Sequence, residues 1–237
     1  MGKVRRPQAK RFALHAPVKA KKPSAVVAEY EHALENVLEA DPADFGKKDI
    51  ALLNLLCAPA LNGSENLDIQ HCLARLDRLS EHVKANTERN LHRFPDSREY
   101  GQCEPKWRMA MLVTCVKLDF GVSYDPVVRA DLDRDGHSPF VDSRNVFIHG
   151  LLGDNPKRRW GSCSSIPVLV AAVARRLGYP VGLAVNRKHV YARWEVAGGL
   201  AFNIEASNPA GMTIHGDEHY RCEMFGPPTD AEARSGF

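Results

Sequence analysis

The chain has 237 residues, and its content of 44% hydrophobic and 26% charged residues is that of an ordinary globular protein. A chain of this length can bury one substantial core or two small ones. It has no apolar run of about 18 residues, and its N-terminus lacks the apolar stretch of a signal peptide. We therefore expect neither membrane insertion nor secretion, and a cytoplasmic protein.

The six cysteines are scattered along the chain without a CxxC pair. A chain this long does not need disulfides to hold its fold, so we expect reduced thiols. The residues are Cys57, Cys72, Cys103, Cys115, Cys163 and Cys222. All except Cys163 are interpreted as inert packing residues.

The positive charge of the chain is concentrated in residues 1–22, which hold eight Lys or Arg and no acidic residue. Prolines and few large apolar side chains predict that this segment is a disordered basic tail. A solvated tail is the favoured interpretation, and a tether to nucleic acid or another acidic surface, or a transit peptide, is the alternative. Residues 227–237 are predicted to form a C-terminal tail.

Residues 23–119 are predicted to form a helical lobe, because apolar residues recur at three- and four-residue spacing in four stretches. Ser24 is placed to cap the first helix, and Pro59, Gly63 and Pro95 separate the helices that follow. The four apolar stripes lie within 26–38, 50–56, 69–83 and 107–118. Since nothing in this lobe suggests chemistry, we expect it to serve packing.

Residues 120–226 are predicted to form a second lobe, packed with the first as one compact domain. Between Phe120 and Trp160, Asp, Gly, Pro and Ser surround short apolar islands, which is typical of loops. Residues 161–207 then predict a helix, a short strand and a β-hairpin. This last stretch holds the residues with candidate chemical roles.

Cys163 lies where the string GSCSS gives way to the apolar run IPVLVAAVA. Pro167 suits the first turn of a helix, and Gly178 with Pro180 ends it. The unpaired backbone N–H groups at a helix N-terminus, with the positive end of the helix dipole, stabilise a thiolate and can also hold an oxyanion. Cys163 is therefore predicted to be a nucleophile.

A thiol that transfers acyl groups needs a base that takes its proton and later protonates the leaving group. His189 is the candidate, at the start of the strand HVYARWEV. The even-numbered residues of 190–196 form one apolar face of this strand. The odd-numbered residues, with His189, form the opposite face.

The hairpin that follows indicates a third residue. Because the apolar faces of its two strands must coincide, a loop at 197–199 places Glu205 opposite Tyr191 and diagonal to His189. An acid in this position orients the imidazole and stabilises its charged form. The same register also permits an ion pair between Glu205 and Arg193, which is the alternative.

Residues 145–210 resemble the transglutaminase-like superfamily of papain-type cysteine enzymes, through the string GSCSS...RRLGYPV...HVYARWE...FNIEA. The resemblance implies an α+β, papain-like core, with the helical N-terminal lobe packed on a small antiparallel sheet, and makes 120–226 the catalytic core. It also implies thiol chemistry on amide or ester carbonyls. By this resemblance Cys163 is the nucleophile, His189 the general base and Glu205 the orienting acid.

Three residues near the cysteine are predicted to bind substrate: Trp160, Ser162 and Ser164. Trp160 is close enough in sequence to line the acyl site, although a packing role fits equally. The superfamily commonly has an aromatic residue after the cysteine, where this chain has Ser164. It also has Asp more often than Glu as the third member of the triad.

An acidic segment offers a calcium site as an alternative. Asp131, Asp133, Asp135 and Asp142 stand at EF-hand ligand positions, but Ser138 occupies a position that is usually apolar. A solvated acidic turn is the favoured interpretation.

His215, His219 and Cys222 have a spacing that zinc sites use. Gly216 and the lack of a clear fourth ligand weaken this prediction, so histidines in a surface loop are the favoured interpretation. We accordingly expect no metal and no other cofactor.

The expected function is cysteine-dependent acyl transfer at an amide bond of a protein or peptide substrate, through a thioester at Cys163. The bond is that of a peptide, an isopeptide or a glutamine side chain, and hydrolysis and transfer both remain open. One alternative is a catalytically quiet module that binds protein while residues 1–22 contact nucleic acid or membrane. Another is a metal-dependent protein that uses the acidic segment or the late histidines.

Overall fold

The computed structural model describes residues 25–96, 98–132, 141–153, 159–186, 189–208 and 211–220. The predicted tails, 1–22 and 227–237, lie outside the described residues, as does the predicted helix cap Ser24. These three predictions are therefore untested.

Four helices dominate the N-terminal half, as the four apolar stripes predict. They are α1 (Ala25–Leu38), α2 (Ile50–Leu56), α3 (Ile69–Asn90) and α4 (Glu104–Thr114), with 3-10 turns at Pro42–Lys47, Leu91–Asp96 and Arg98–Tyr100 and a π-helical turn at Cys115–Asp119. Carboxylates cap two of the helices. Asp49 accepts the backbone N–H of Ala51 at 2.8 Å, and Asp68 accepts that of His71 at 2.9 Å. Each cap satisfies a donor that the first helical turn leaves unpaired.

The segment predicted as loops contains short regular elements instead. They are β1 (Ser123–Tyr124), α5 (Pro126–Leu132), α6 (Ser143–Val146), α7 (His149–Leu152) and β2 (Trp160–Gly161). Asp125 caps α5 and Asp142 caps α6, each through a backbone N–H of the first turn. β1 and β2 pair in parallel, with Tyr124 opposite Gly161. This pairing joins segments far apart in the sequence, so no local pattern predicts it.

The C-terminal part of the described chain is one helix followed by an antiparallel sheet. The elements are α8 (Ile166–Arg176), β3 (Val181–Val185), β4 (Val190–Glu195), β5 (Ala201–Glu205), β6 (Thr213–His215) and the short helix α9 (Asp217–Tyr220). The strands β3 to β6 lie side by side in chain order. The predicted helix, strand and hairpin are confirmed. The placement of His215 and His219 in a loop is wrong, because His215 lies on β6 and His219 on α9.

Helix α8 lies at the centre of the core. Residues 166–174 are all buried, and α8 packs against α2, α3 and α4 as well as against β3 and β4. From the sheet, Ala192, Trp194, Phe202 and Ile204 join the same cluster of buried apolar residues. Removing this apolar surface from water is the main force that holds α8 in place. The turn that enters α8 is therefore anchored by the core.

The structure is a mixed α and β protein, 55% helical and 14% strand, with helices packed on a small antiparallel sheet. This confirms the coarse α+β prediction. In the described part of the chain, none of the helices is long and apolar enough to cross a membrane.

Candidate active site

Cys163 lies in a helical turn that leads into α8. The backbone N–H of Ile166 donates to the carbonyl of Ser162 at 3.0 Å, which is the i to i−4 bond of an α-helix. Ser162 Oγ accepts the N–H of Ser164 at 3.1 Å, and Ser165 Oγ reaches back to accept the N–H of Ser162 at 3.0 Å. This reciprocal pair is a capping box with serine at both ends. It makes Ser162 the effective N-cap and Cys163 the first residue of the turn.

This turn is locked to a neighbouring segment. The hydroxyls of Ser162 and Ser165, both fully buried, donate to the carbonyl of Asn145 at 2.6 and 3.2 Å. A Cβ atom at Gly161 would lie 2.5 Å from Ser165 Oγ and 2.8 Å from Leu151 Cδ2. Glycine at position 161 is therefore what allows the capping box to form against α7.

The three predicted substrate-binding residues differ in exposure. Trp160, on β2, is 37% exposed, and Ser164 is half-buried beside the half-buried Cys163. Ser162 is fully buried, and its hydroxyl is occupied by Asn145 and Ser164. Trp160 and Ser164 thus lie within reach of solvent, whereas Ser162 shapes the turn that holds Cys163.

The hairpin has the predicted register. Ala192 lies opposite Ile204, which places Glu205 opposite Tyr191 and diagonal to His189. The apolar positions of both strands face the core, and the polar positions share the other face. The prediction that Glu205 lies beside His189 is confirmed.

His189 contacts both of the other residues of the predicted triad. Its Nε2 atom hydrogen-bonds Oε2 of Glu205, and Cys163 is close enough to the ring to raise the pKa of His189. The side chains of His189 and Glu205 are only 14% and 13% exposed. The imidazole is thus hydrogen-bonded to a carboxylate and interacts with a thiol.

The electrostatics of the His189–Glu205 pair favour separated charges. Burial, the largest influence, opposes protonation of His189, but its hydrogen bonds and charge interactions with Cys163 and Glu205 outweigh burial and raise its pKa to about 9. Burial alone would raise the pKa of Glu205, yet hydrogen bonds from His189 and the backbone N–H of Ser207 lower it. At neutral pH the pair is therefore imidazolium and carboxylate, and an imidazolium stabilises a neighbouring thiolate.

The alternative partner of Glu205, Arg193, is engaged elsewhere. Its guanidinium donates to Asp217 at 2.9 Å and to Asn203 at 2.6 Å, and it lies 3.5 Å from Glu195. Among the described residues, the ion pair between Arg193 and Glu205 is not formed. Glu205 is left to interact with His189.

Aromatic rings flank the imidazole. The ring centroids of Tyr191 and Tyr220 each lie 6.2 Å from that of His189, in planes tilted by 20° and 10°. The two tyrosine rings stack on each other at 3.8 Å, and both residues are buried. The imidazole thus lies beside a buried pair of stacked tyrosines.

Tyr124 is a residue of the site that the sequence reasoning missed. It lies on β1, and its hydroxyl is close enough to the backbone and the thiol of Cys163 for both to affect its pKa. Burial, the largest cause, and the neighbouring Cys163 raise the pKa of Tyr124, so the phenol is neutral at physiological pH. Its position depends on the parallel pairing of β1 with β2. No local sequence pattern predicts that pairing, so the sequence carried no signal for Tyr124.

The predicted calcium site is described only in part. Asp133 and Asp135 lie outside the described residues, and Asp131 lies on α5 without a described side chain. Asp142 caps α6, and its carboxylate forms an ion pair with Arg144 at 2.5 Å. The one ligand that can be placed thus serves its own turn.

The predicted zinc site is also described only in part. The rings of His215 and His219 stack with their centroids 3.9 Å apart, and Nε2 of His215 lies 3.1 Å from Thr213 Oγ1. Cys222 lies outside the described residues. The site therefore stays a prediction.

A further group that could hold a metal lies in the helical half. His82, Cys115 and Asp119 each offer one ligand atom, and these atoms lie within 4.8 Å of one another. Nε2 of His82 is 2.8 Å from Asp119 Oδ2. Burial, followed by the charge and hydrogen bond of Asp119, raises the pKa of Cys115 to about 12. As it stands the group is a hydrogen-bonded cluster with a protonated thiol, and a metal would have to displace that proton.

Comparison of the chain with protein-family models, with curated proteins and with solved structures gives no match. The class of site is therefore argued from the geometry of the chain's own residues. The residues that it brings together are a thiol, an imidazole and a carboxylate: Cys163, His189 and Glu205.

Proposed function

We propose that this chain is a cysteine-dependent acyl-transfer enzyme of transglutaminase-like type, with a papain-like core. It acts on amide bonds of a protein or peptide substrate: a peptide bond, an isopeptide bond or the side-chain amide of glutamine. The observation that carries the proposal is the hydrogen bond between His189 and Glu205, with Cys163 close enough to the same imidazole to raise its pKa. The resemblance in sequence around these residues points to the same chemistry.

The first half of the reaction forms a thioester. His189 holds the proton of Cys163, and the thiolate attacks the carbonyl carbon of the substrate amide to give a tetrahedral intermediate. His189 then gives that proton to the leaving nitrogen, the C–N bond breaks, and an amine or ammonia departs. The acyl group remains on Cys163 as a thioester.

The second half releases the acyl group. Water or an amine attacks the thioester while His189 takes a proton from it, and the thiolate leaves as the C–S bond breaks. Water gives a carboxylic acid, and an amine gives a new amide. The choice between these acceptors decides whether the enzyme is a hydrolase or a transferase.

Glu205 is proposed to hold the imidazole in the orientation that serves both halves. Its carboxylate fixes Nε2 of His189, which directs the other ring nitrogen towards the sulfur. The negative charge also stabilises the imidazolium that exists while the thiolate is free. A backbone N–H donated by Ser207 at 2.7 Å keeps the carboxylate in place.

Selective reactivity of Cys163 tests the proposal. We would measure iodoacetamide labelling of each cysteine by mass spectrometry across pH, in wild type, His189→Ala and the control His82→Ala. We expect fast labelling at about pH 6 to be confined to Cys163, because the imidazolium of His189 lies beside its thiol. Cys57, which is exposed, serves as the internal control.

Each outcome of this experiment has a clear meaning. If Cys163 is labelled slowly in His189→Ala but as fast as wild type in His82→Ala, the result supports Cys163 as nucleophile and His189 as its base. Equally slow labelling of Cys163 and Cys57 in wild type would overturn the enzyme proposal. The catalytically quiet binding module would then be the better account.

A further inference from the structure

The hydroxyl of Tyr124 lies at the point where acyl-transfer chemistry places its negative charge. β1 sets Tyr124 opposite Gly161, two residues before Cys163, and the phenol interacts with both the backbone and the thiol of Cys163. Attack by Sγ on a carbonyl converts the carbonyl oxygen into an oxyanion that is one carbon away from the sulfur. A donor that stabilises the oxyanion must therefore lie beside both Sγ and the N–H group of Cys163.

The backbone holds Tyr124 firmly in this position. On one side, the N–H of Ser123 donates to the carbonyl of Arg159 at 3.1 Å; on the other, the N–H of Asp125 donates to the carbonyl of Gly161 at 2.8 Å. These bonds fix β1 against β2 in a register that sets Tyr124 opposite Gly161. Gly161 is two residues before Cys163, so a single short strand pair determines the distance between phenol and thiol.

The capping box leaves one N–H group of the turn for an oxyanion. The N–H of Ser164 is taken by Ser162 Oγ, and that of Ser165 lies 3.2 Å from the carbonyl of Ser162. The N–H of Cys163 interacts with the Tyr124 hydroxyl instead. In the free protein the phenol oxygen therefore lies close to the place that a substrate carbonyl oxygen would take.

We propose that Tyr124 is a further catalytic residue, whose hydroxyl is displaced from the Cys163 N–H by the substrate carbonyl and then donates a hydrogen bond to the oxyanion. This inference rests on the proposed function. The donor pair would be one backbone N–H and one phenol. The phenol is suited to the task because it is half-buried on a fixed strand, so little reorganisation accompanies the reaction. Its raised pKa, caused mainly by burial, keeps the proton available for donation.

Two reagents separate a role on the oxyanion from a role on the thiol. Iodoacetamide alkylates a thiolate by displacement at a saturated carbon and forms no oxyanion, whereas p-nitrophenyl acetate is attacked at a carbonyl and forms one. We expect Tyr124→Phe to slow acetylation of Cys163 by about 10²-fold. Alkylation of Cys163 should not slow, because the thiolate and its base are intact.

Two further variants control this experiment. Tyr179→Phe removes a phenol at the other end of α8, and both reactions should be unchanged. Tyr124→Gln retains a hydrogen-bond donor, and its acetylation rate should lie between those of wild type and Tyr124→Phe. Far-ultraviolet circular dichroism of each variant shows whether it is folded.

Three results would overturn the inference while leaving the proposed function intact. One is equal rates of acetylation by p-nitrophenyl acetate in wild type and Tyr124→Phe. Another is an equal loss of alkylation and acetylation in Tyr124→Phe, which would mean that the hydroxyl supports the thiolate. The last is faster alkylation with no loss of acetylation, which would mean that the hydroxyl only blocks the site. If wild-type Cys163 reacts selectively with neither reagent, the proposed function and the inference both fail.

Discussion

Glu205 and His189 meet across the β4–β5 hairpin, with Oε2 of the acid on Nε2 of the imidazole. They lie on diagonal positions of one sheet face, which brings side chains of this length into contact. The hairpin register thus determines which nitrogen of His189 meets the carboxylate.

Glu205→Gln is expected to lower the pKa of His189 from about 9 towards its ordinary value. The substitution keeps the shape of the side chain but removes the charge that stabilises the imidazolium. The pH at which Cys163 alkylation becomes fast should rise, because a less basic His189 stabilises the thiolate less. Glu195→Gln, on the same hairpin and exposed, is the matched control. An unchanged profile in Glu205→Gln would show that the acid does not act on His189.

The stability of the protein should fall as the pH rises through about 9. The pKa of His189 is raised above its ordinary value of 6.5. Protonation of His189 therefore stabilises the folded state fully below pH 6.5, and this contribution is lost as the pH rises through about 9. The unfolding free energy should fall by about 2 kcal/mol after allowance for solvent screening. Urea unfolding of wild type and His189→Gln between these two pH values checks it. A difference in unfolding free energy that does not shrink with pH would contradict the assignment.

Gly161→Ala is expected to destabilise the protein by about 1–3 kcal/mol, because an added Cβ would meet Ser165 Oγ at 2.5 Å. Opening the capping box should also slow Cys163 alkylation. Gly46→Ala is the control, since a Cβ there has no atom within 4 Å. Urea unfolding with parallel labelling measures both effects. Equal stability of the two variants would show that the turn has room for a side chain.

Ser162→Ala is expected to lower the unfolding free energy by about 1–3 kcal/mol, because it removes a cap and leaves the carbonyl of Asn145 with one donor fewer. If Ser162 only shapes the turn, the KM for a small ester should not change. Ser164→Ala, which changes a half-buried hydroxyl next to the nucleophile, provides the comparison. A raised KM at unchanged stability would instead support the sequence-based prediction that Ser162 binds substrate.

The sequence predicts the parts of the site that depend on local periodicity. The apolar alternation in β4 and β5 is sufficient to derive the register, and the serine-rich string before α8 is sufficient to place Cys163 at a helix start. Tyr124 could not be found in this way, because its position depends on a strand pair between distant segments. The sequence predicts that Ser162 and Ser164 bind substrate, whereas the structure buries Ser162 in the capping box and leaves Ser164 half-buried.

The middle of the chain shows the same limit. Its Asp, Gly and Pro content predicts loops, yet aspartate caps allow short helices such as α5 and α6 to form there. Short helices depend on single caps and on packing against the core. The spacing of apolar residues in the sequence reveals neither of these. Similarly, β6 is specified by its pairing with β5, in which Ile204 lies opposite Ile214.

Formation of an acyl-enzyme at Cys163 tests the central claim most directly. The protein would be mixed with p-nitrophenyl acetate, quenched in acid and examined by intact and peptide mass spectrometry, alongside Cys163→Ala and Cys115→Ala. The account predicts one acetyl group per chain in wild type and Cys115→Ala, located on Cys163, and none in Cys163→Ala. Acetylation spread over several residues, or undiminished in Cys163→Ala, would contradict it.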